Sequence, residues 1–239
     1  MSDPVVIGGT GGSGTRCLAA ILMEAGCYLG WNLNKSHDSL SLTPFLRRYM
    51  VEAYNHFESL SPEQVAQWEV DFSPAASTHL LEHRGQPIWG WKNPTSMYLI
   101  PFFSEMFPRL KFIHLVRDGR DMALSTNSNQ YIAINPGDRK NDIVKKAEFW
   151  STSNTRVHQF AKSHLHENYI VVRLEELCND PTTQVERILG FIGSSAAVDS
   201  CMREVSRPTS VGRYQALPQR KIQDLTEAAK SGLLEFGYI

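Results

Sequence analysis

The chain opens on a short apolar run, Val5-Val6-Ile7, with no polar residue inside it, the composition of a strand covered on both faces. Gly8-Gly9-Thr10-Gly11-Gly12-Ser13-Gly14 interrupts that run. Leu18, Ile21, Leu22 and Ala25 then follow at helical spacing, and Gly26 is placed to stop the helix. The strand-then-helix pattern returns three times. Ile88-Trp89-Gly90-Trp91 predicts a short strand ending at Lys92-Asn93-Pro94, and the apolar residues from Met97 to Phe107 predict a helix that starts late or kinks at Pro101. Lys111-Phe112-Ile113-His114-Leu115-Val116 predicts the next strand, with Arg117-Asp118-Gly119-Arg120-Asp121 at its carboxyl end and a helix from near Asp121 that carries Ser125. A longer helix over about 142–165 turns Ala147, Trp150, Val157 and Phe160 inward, Tyr169 to Leu174 form a further strand, and Pro181 opens a helix running to Phe191. The tail reads as a loop, Arg207 to Tyr214, and an amphipathic helix from about 222.

Between the first helix and the second strand the pattern changes. Asn32-Leu33-Asn34-Lys35-Ser36-His37-Asp38 is too polar for core, and it lies one helix after the glycine loop. Thr43-Pro44 opens a helix with the apolar stripe Leu46, Met50, Ala53 and Phe57, and Ser61-Pro62-Glu63-Gln64 has capping-box spacing. These residues form a helical insertion over about 40–85, read either as a wall of a substrate pocket or as plain cover. The whole pattern predicts an α/β fold, one domain over 1–239, whose parallel sheet is flanked by helices and binds ligands at the strand carboxyl ends. Gly8 to Arg16, Lys92 and Arg117 all fall at such ends.

Composition narrows the partners. The 24 basic and 25 acidic side chains nearly cancel, so nothing favours nucleic acid or an anionic membrane surface. The four cysteines (Cys17, Cys27, Cys178, Cys201) form no C-x-x-C pair, which suits free thiols in a reducing compartment. With neither a leader pattern nor an apolar run of membrane-spanning length, the expectation is a cytoplasmic protein.

The glycine loop carries the first candidate chemistry. Strand, glycine loop and helix together present backbone N–H groups and the positive end of a helix to one anion, and Ser13 and Thr15 add hydroxyls. The loop lacks the Walker lysine, since Gly14 is followed by Thr15-Arg16, and it is read as departing from the dinucleotide fingerprint counted from Gly9. Arg117 and Ser125, eight residues apart, read as two sides of a second small-anion site, or as a turn with local ion pairs. Asp118 and Asp121 read as capping residues. No metal is called for.

Taken together, these motifs resemble the sulfotransferases that use 3′-phosphoadenosine-5′-phosphosulfate (PAPS), in the protein-tyrosine and bacterial branch, which have a P-loop-like sheet. Gly11-Gly12-Ser13-Gly14-Thr15 looks like their 5′-phosphosulfate loop, and Phe107 to Ser125 is similar to their 3′-phosphate motif, including the Arg-to-Ser spacing. Trp91-Lys92-Asn93-Pro94 resembles the Lys-x-Pro element whose lysine faces the transferring group. Val172-Arg173-Leu174-Glu175-Glu176-Leu177 and Ser210-Val211-Gly212-Arg213-Tyr214 look like later family segments. The resemblance implies transfer of a sulfuryl group from PAPS to the hydroxyl or amine of a small-molecule, carbohydrate or peptide acceptor, with adenosine 3′,5′-bisphosphate (PAP) as product. It implies that Gly11, Gly12, Ser13, Gly14, Thr15 and Arg16 hold one end of the cofactor, and that Arg117, Ser125, Gly212 and Arg213 hold the other.

Two departures matter. Family loops carry a basic residue where Gly12 stands, and Arg16 is the candidate to replace it. The histidine base of the cytosolic members has no counterpart after Lys92, so His37 and Asp38 are candidates on position alone. The competing readings are a module that binds an adenosine bisphosphate without turnover, and a small-molecule kinase on the related fold.

Overall fold

The computed structural model describes residues 3–239. Among them β1 (Val5–Gly8), β2 (Gly90–Lys92), β3 (Lys111–Val116) and β4 (Tyr169–Arg173) form one parallel sheet in the order β2-β1-β3-β4. The register pairs Ile7 with Lys92, Gly8 with His114 and Val116 with Arg173, so the carboxyl ends that carry the glycine loop, Lys92 and Arg117 share one rim. Strand periodicity then assigns the two faces. Val6, Trp91 and Phe112 point into an aromatic core, while Val5, Ile7, Ile113, Leu115 and Val172 point into an aliphatic one.

Helix α1 (Thr15–Glu24) covers the aliphatic face together with α9 (Pro181–Ile192) and α10 (Val198–Met202). The insertion is real and helical: α2 (Thr43–Asn55) and α3 (Pro62–His79) build the aromatic core with α4 (Ile100–Met106), and Phe72 packs against Phe45, Trp91, Phe102 and Phe103. The remaining helices are α5 (Gly119–Ala123), α6 (Asn129–Ile134), α7 (Ile143–His164), α8 (Leu174–Asn179), α11 (Gln219–Ala228) and α12 (Lys230–Glu235). Trp150 of α7 locks the last pair in place. Its benzo edge lies where a side chain at Gly119 or Gly232 would stand, 2.2 Å and 2.7 Å from the position of an added Cβ.

Ser61 and Gln64 form the expected capping box. Several local expectations change. Helix α5 ends at Ala123, so Ser125 lies in the following turn and not two turns into a helix. The reason is local: the Ser125 hydroxyl accepts from the Asn127 amide, and a Ser-Thr-Asn-Ser-Asn run competes for the hydrogen bonds a helix would need. Thr43 is inside α2 rather than its cap, and its hydroxyl donates to the Ser39 carbonyl at 2.7 Å. Leu174 opens α8 instead of closing β4, and the tail helix begins at Gln219 and breaks at Ala229.

Candidate active site

The glycine loop turns through two left-handed residues, Gly12 (φ 101°) and Gly14 (φ 102°), which bring the chain from β1 into α1. Gly14 caps α1 with no side-chain hydrogen bond, so the first amides of the helix face the rim without an internal partner. The Gly11 amide donates to Gln130 Oε1 at 2.8 Å, and the Ser13 amide to the Thr10 carbonyl at 3.1 Å. The buried hydroxyls of Thr10 and Ser13 have no partner among the described residues. A Cβ at Gly12 would stand 2.8 Å from Ser125 Oγ, on a backbone that disfavours any side chain. The loop and Ser125 are therefore in contact, and the absence of a basic residue at position 12 follows from geometry. Gly9, Gly11 and Gly14 do in fact meet the dinucleotide spacing, so the loop alone does not exclude that class. Strand β2 argues against an NAD site, because it ends on Lys92 where such a site holds the ribose with a carboxylate.

On the β2 side, Lys92 is fully buried and its ammonium donates to Asp38 Oδ1 at 2.6 Å and to the Ser36 carbonyl at 2.9 Å. Burial pulls the Lys92 pKa down, Asp38 opposes that, and the positive charge of Arg16 adds to the lowering. The polar stretch thus returns to the rim, as its position suggested, and brings Asp38 onto Lys92. Asn34 shapes this loop: its Oδ1 accepts from the amides of Ser36 (2.8 Å) and Asp38 (2.9 Å), and its Nδ2 donates to Asp38 Oδ2 (2.9 Å). His37 adopts φ 61°, and its Nδ1 is buried without a partner. His79, at the end of α3, pins the loop to the sheet. Its Nε2 donates to the Gly90 carbonyl (2.8 Å), which leaves Nδ1 to accept from the Ser39 hydroxyl (3.0 Å). A cavity of about 350 Å³ opens beside Gly14, lined by Arg16, Lys35, His37, Leu174 and Ser206 among others. Arg16 itself is exposed.

On the β3 side, the fork of Arg117 is directed into protein. It donates to Asp121 Oδ2 at 3.0 Å, to the Ser210 hydroxyl at 3.1 Å and to the Ser210 carbonyl. Asp121 is a hub rather than a cap. It also accepts from the amides of Gly212 (2.6 Å) and Tyr214 (3.1 Å), and its own carbonyl accepts from Arg213 Nη2 at 2.7 Å. Asp118 does cap α5, accepting from the Arg120 amide at 2.9 Å. The tail segment around Gly212 and Arg213 is therefore seated beside Arg117, as the motif order suggested. Sequence reasoning placed Ser210 in the tail motif without a role and missed the hub role of Asp121, whose only local signal is a carboxylate one turn after an arginine.

All the chemistry-bearing positions thus gather on one rim of a parallel sheet. The chain matches a model of the sulfotransferase family over residues 4–197. Among solved structures it is similar to the sulfotransferase domain of the Synechococcus PCC 7002 olefin synthase, with 18% identity, TM-score 0.61, and coverage of 100% of this chain and 97% of that one. It is also similar to a sulfotransferase from Alicyclobacillus acidocaldarius (11% identity, TM-score 0.57, 100% and 96% covered). A third is a retinol dehydratase in complex with androsterone and inactive cofactor PAP (15% identity, TM-score 0.53, 96% and 80% covered). No curated protein matches the chain. Among the described residues no helix is long and apolar enough to cross a membrane. With four parallel strands flanked by helices and a family match over most of its length, this chain belongs to the sulfotransferase family.

Proposed function

We propose that the chain transfers a sulfuryl group from PAPS to an acceptor hydroxyl or amine by in-line displacement. The observation that carries this reading is that two donor-rich corners share one rim, the second held in shape by Asp121 and Ser210. The glycine loop and the start of α1 form one, and Arg117, Ser125, Gly212 and Arg213 form the other. Such a pair suits a donor that is anionic at its 3′-phosphate and again at its 5′-phosphosulfate. The unpartnered Ser13 hydroxyl, and a cavity beside Gly14 lined by the cations Arg16 and Lys35 against one carboxylate, Glu204, suit a bound anion. PAPS supplies the activated sulfuryl group.

The protein's own residues then have distinct tasks. Lys92 is held at the rim to neutralise charge on the leaving oxygen, as the phosphoryl-transfer enzymes do with their cations. Arg16, at the mouth of the cavity, supplies positive charge that Gly12 cannot. Both Asp38 oxygens are engaged, by Lys92 and Asn34, whereas no hydrogen bond among the described residues engages the ring of His37, a residue that lines the cavity at Gly14. His37 is accordingly the better placed of the two to take the acceptor's proton.

The test is direct. Purified protein is incubated with PAPS and separate phenol, amine and carbohydrate acceptors, and PAP release is followed. Thermal shifts with PAP should exceed those with adenosine 5′-monophosphate, which lacks the 3′-phosphate. Equal shifts, with no PAP released above the acceptor-free rate, would overturn the assignment.

A further inference from the structure

Among the described residues four cations are buried: Lys92, Arg117, Arg120 and Lys146. Three face a carboxylate, Lys92 with Asp38 (2.6 Å), Arg117 with Asp121 (3.0 Å) and Arg120 with Asp118 (2.7 Å). Lys146 does not. From the first turn of α7 its ammonium donates to the Ser125 carbonyl, which answers one of three N–H groups and none of the charge. The nearby charges are of the same sign. Burial lowers the Lys146 pKa first, and Arg213 and Lys140 add to it. Uncompensated ammonium in such a place is costly, and an anion is what would relieve it.

The space next to Lys146 is built for one. A small cavity of about 30 Å³ lies on the Gly11 side of the glycine loop, opposite the larger cavity at Gly14. That is room for one compact group. Met122, Tyr131 and Phe149 give it largely apolar walls, Thr10, Lys146 and Trp150 stand among them, and no acidic residue lines it. The Thr10 hydroxyl and the Trp150 indole N–H are both buried, and neither has a hydrogen-bond partner. With the benzo edge of Trp150 clamped at Gly119 and Gly232, its N–H lies on the opposite edge of the ring. The residues that carry an ammonium, an indole N–H and a hydroxyl, all with donor capacity to spare, thus line one cavity, the two neutral donors lying just beneath its surface.

We propose that this cavity is an oxyanion subsite, with Lys146 as its charge and Trp150 and Thr10 as its neutral donors, receiving the oxygens of a sulfate or phosphate group on a bound molecule. The subsite stands on the geometry of this chain, and only the source of the oxyanion rests on the sulfotransferase reading. That source is either the nucleotide's 3′-phosphate, beside Ser125 and Arg213, or an anionic group already present on the acceptor.

Inorganic sulfate is the probe, added to the full chain against sodium chloride of equal ionic strength. Sulfate should raise the melting temperature of the wild type clearly more than that of Lys146→Met, in which only the glycine loop and the Arg117 corner are left to bind it. In sulfate-free buffer Lys146→Met should melt higher than wild type, because it removes a buried charge with no counter-ion, whereas loss of a merely structural contact to Ser125 would lower it. Trp150→Phe should weaken the sulfate response while leaving the charge in place. If sulfate competes with PAP, and Lys146→Met weakens PAP by about tenfold or more but spares adenosine 5′-monophosphate, the subsite holds the 3′-phosphate. If sulfate and PAP bind together, it holds an acceptor group. A sulfate response undiminished in Lys146→Met, or in Trp150→Phe should the first variant not fold, overturns the proposal, as does its absence from the wild type. Failure of PAP to bind would overturn the cofactor assignment instead and leave the sulfate result readable.

Discussion

Lys92 and Arg117 stand at the ends of the two strands that flank β1, each against one aspartate, yet the aspartates hold their cations in opposite ways. Asp121 has no exposed side-chain surface, and it joins Arg117 of β3 to the amides of Gly212 and Tyr214 from the tail. Its Oδ2 is shared between Arg117 and the Gly212 amide, and its Oδ1 takes the Tyr214 amide. Asp38 is 22% exposed beside a lysine that is 2% exposed, and its second oxygen is answered only by Asn34 of its own loop. One pair is framework, the other a counter-ion on a short polar loop. A lysine that must meet charge developing on a leaving group is served by a partner that can yield, and an arginine that shapes a cradle is served by one that cannot.

The comparison breaks most readily at Asp121. Asp121→Asn leaves Arg117 buried without a counter-ion and unseats the tail, so unfolding free energy in urea should fall by about 3–5 kcal/mol. A variant as stable as wild type would reduce the hub to an ordinary cap. Next in size is Lys92→Met, for which kcat should drop about 10²–10³-fold while the affinity for PAP holds, a result read from turnover at saturating PAPS beside calorimetry. Loss of affinity with turnover intact would make Lys92 a binding residue. Asp38→Asn should cost less than Asp121→Asn, about 1–3 kcal/mol, because its loop can shift and admit water to Lys92. Equal losses at the two aspartates would erase the distinction between framework and counter-ion.

A further contrast concerns the histidines behind the two sides. His79 braces the Asp38 loop, while His114 of β3 donates from Nε2 to Asn154 Oδ1 at 2.9 Å, and burial pushes its pKa down to about 3. His79 is lowered as well, by burial first. Both are neutral in the native state, and the unfolded chain takes up their protons first. The share of stability that these two groups carry should therefore be constant above about pH 6.5 and fall as pH drops below it, by at most about 1.4 kcal/mol per pH unit for each group. For His114 the loss continues towards about pH 3. Melting temperatures across this range should show a shallower slope in His114→Gln, and an unchanged slope would assign the acid sensitivity elsewhere.

Strands and the glycine loop were legible because they are local: an apolar run that stops at glycine, or at Lys92 or Arg117, marks a strand end with its chemistry attached. What was not legible depends on partners distant in sequence. Nothing near Asp38 announces that it meets Lys92, 54 residues away, and Asp121 reads as a helix cap until the tail is seated on it. Lys146 follows Lys145 at the start of a helix and reads as one of two solvated lysines, whereas Lys145 alone pairs outward with Asp138. Ser125 keeps its spacing from Arg117 but lies in a turn, where its hydroxyl stands against Gly12.

The span of these contacts also sets a timetable. The Gly11 amide waits for Gln130, 119 residues along the chain, and Arg117 waits for Ser210, 93 residues along. Closing such loops is slow relative to pairing neighbouring elements. The sheet can form from residues up to Arg173, but the corner around Arg117 is finished only when Ser210 to Tyr214 arrive. During refolding, strand signal should therefore recover before the capacity to bind PAP does. Ligand binding by this chain reports completion of the fold rather than its onset.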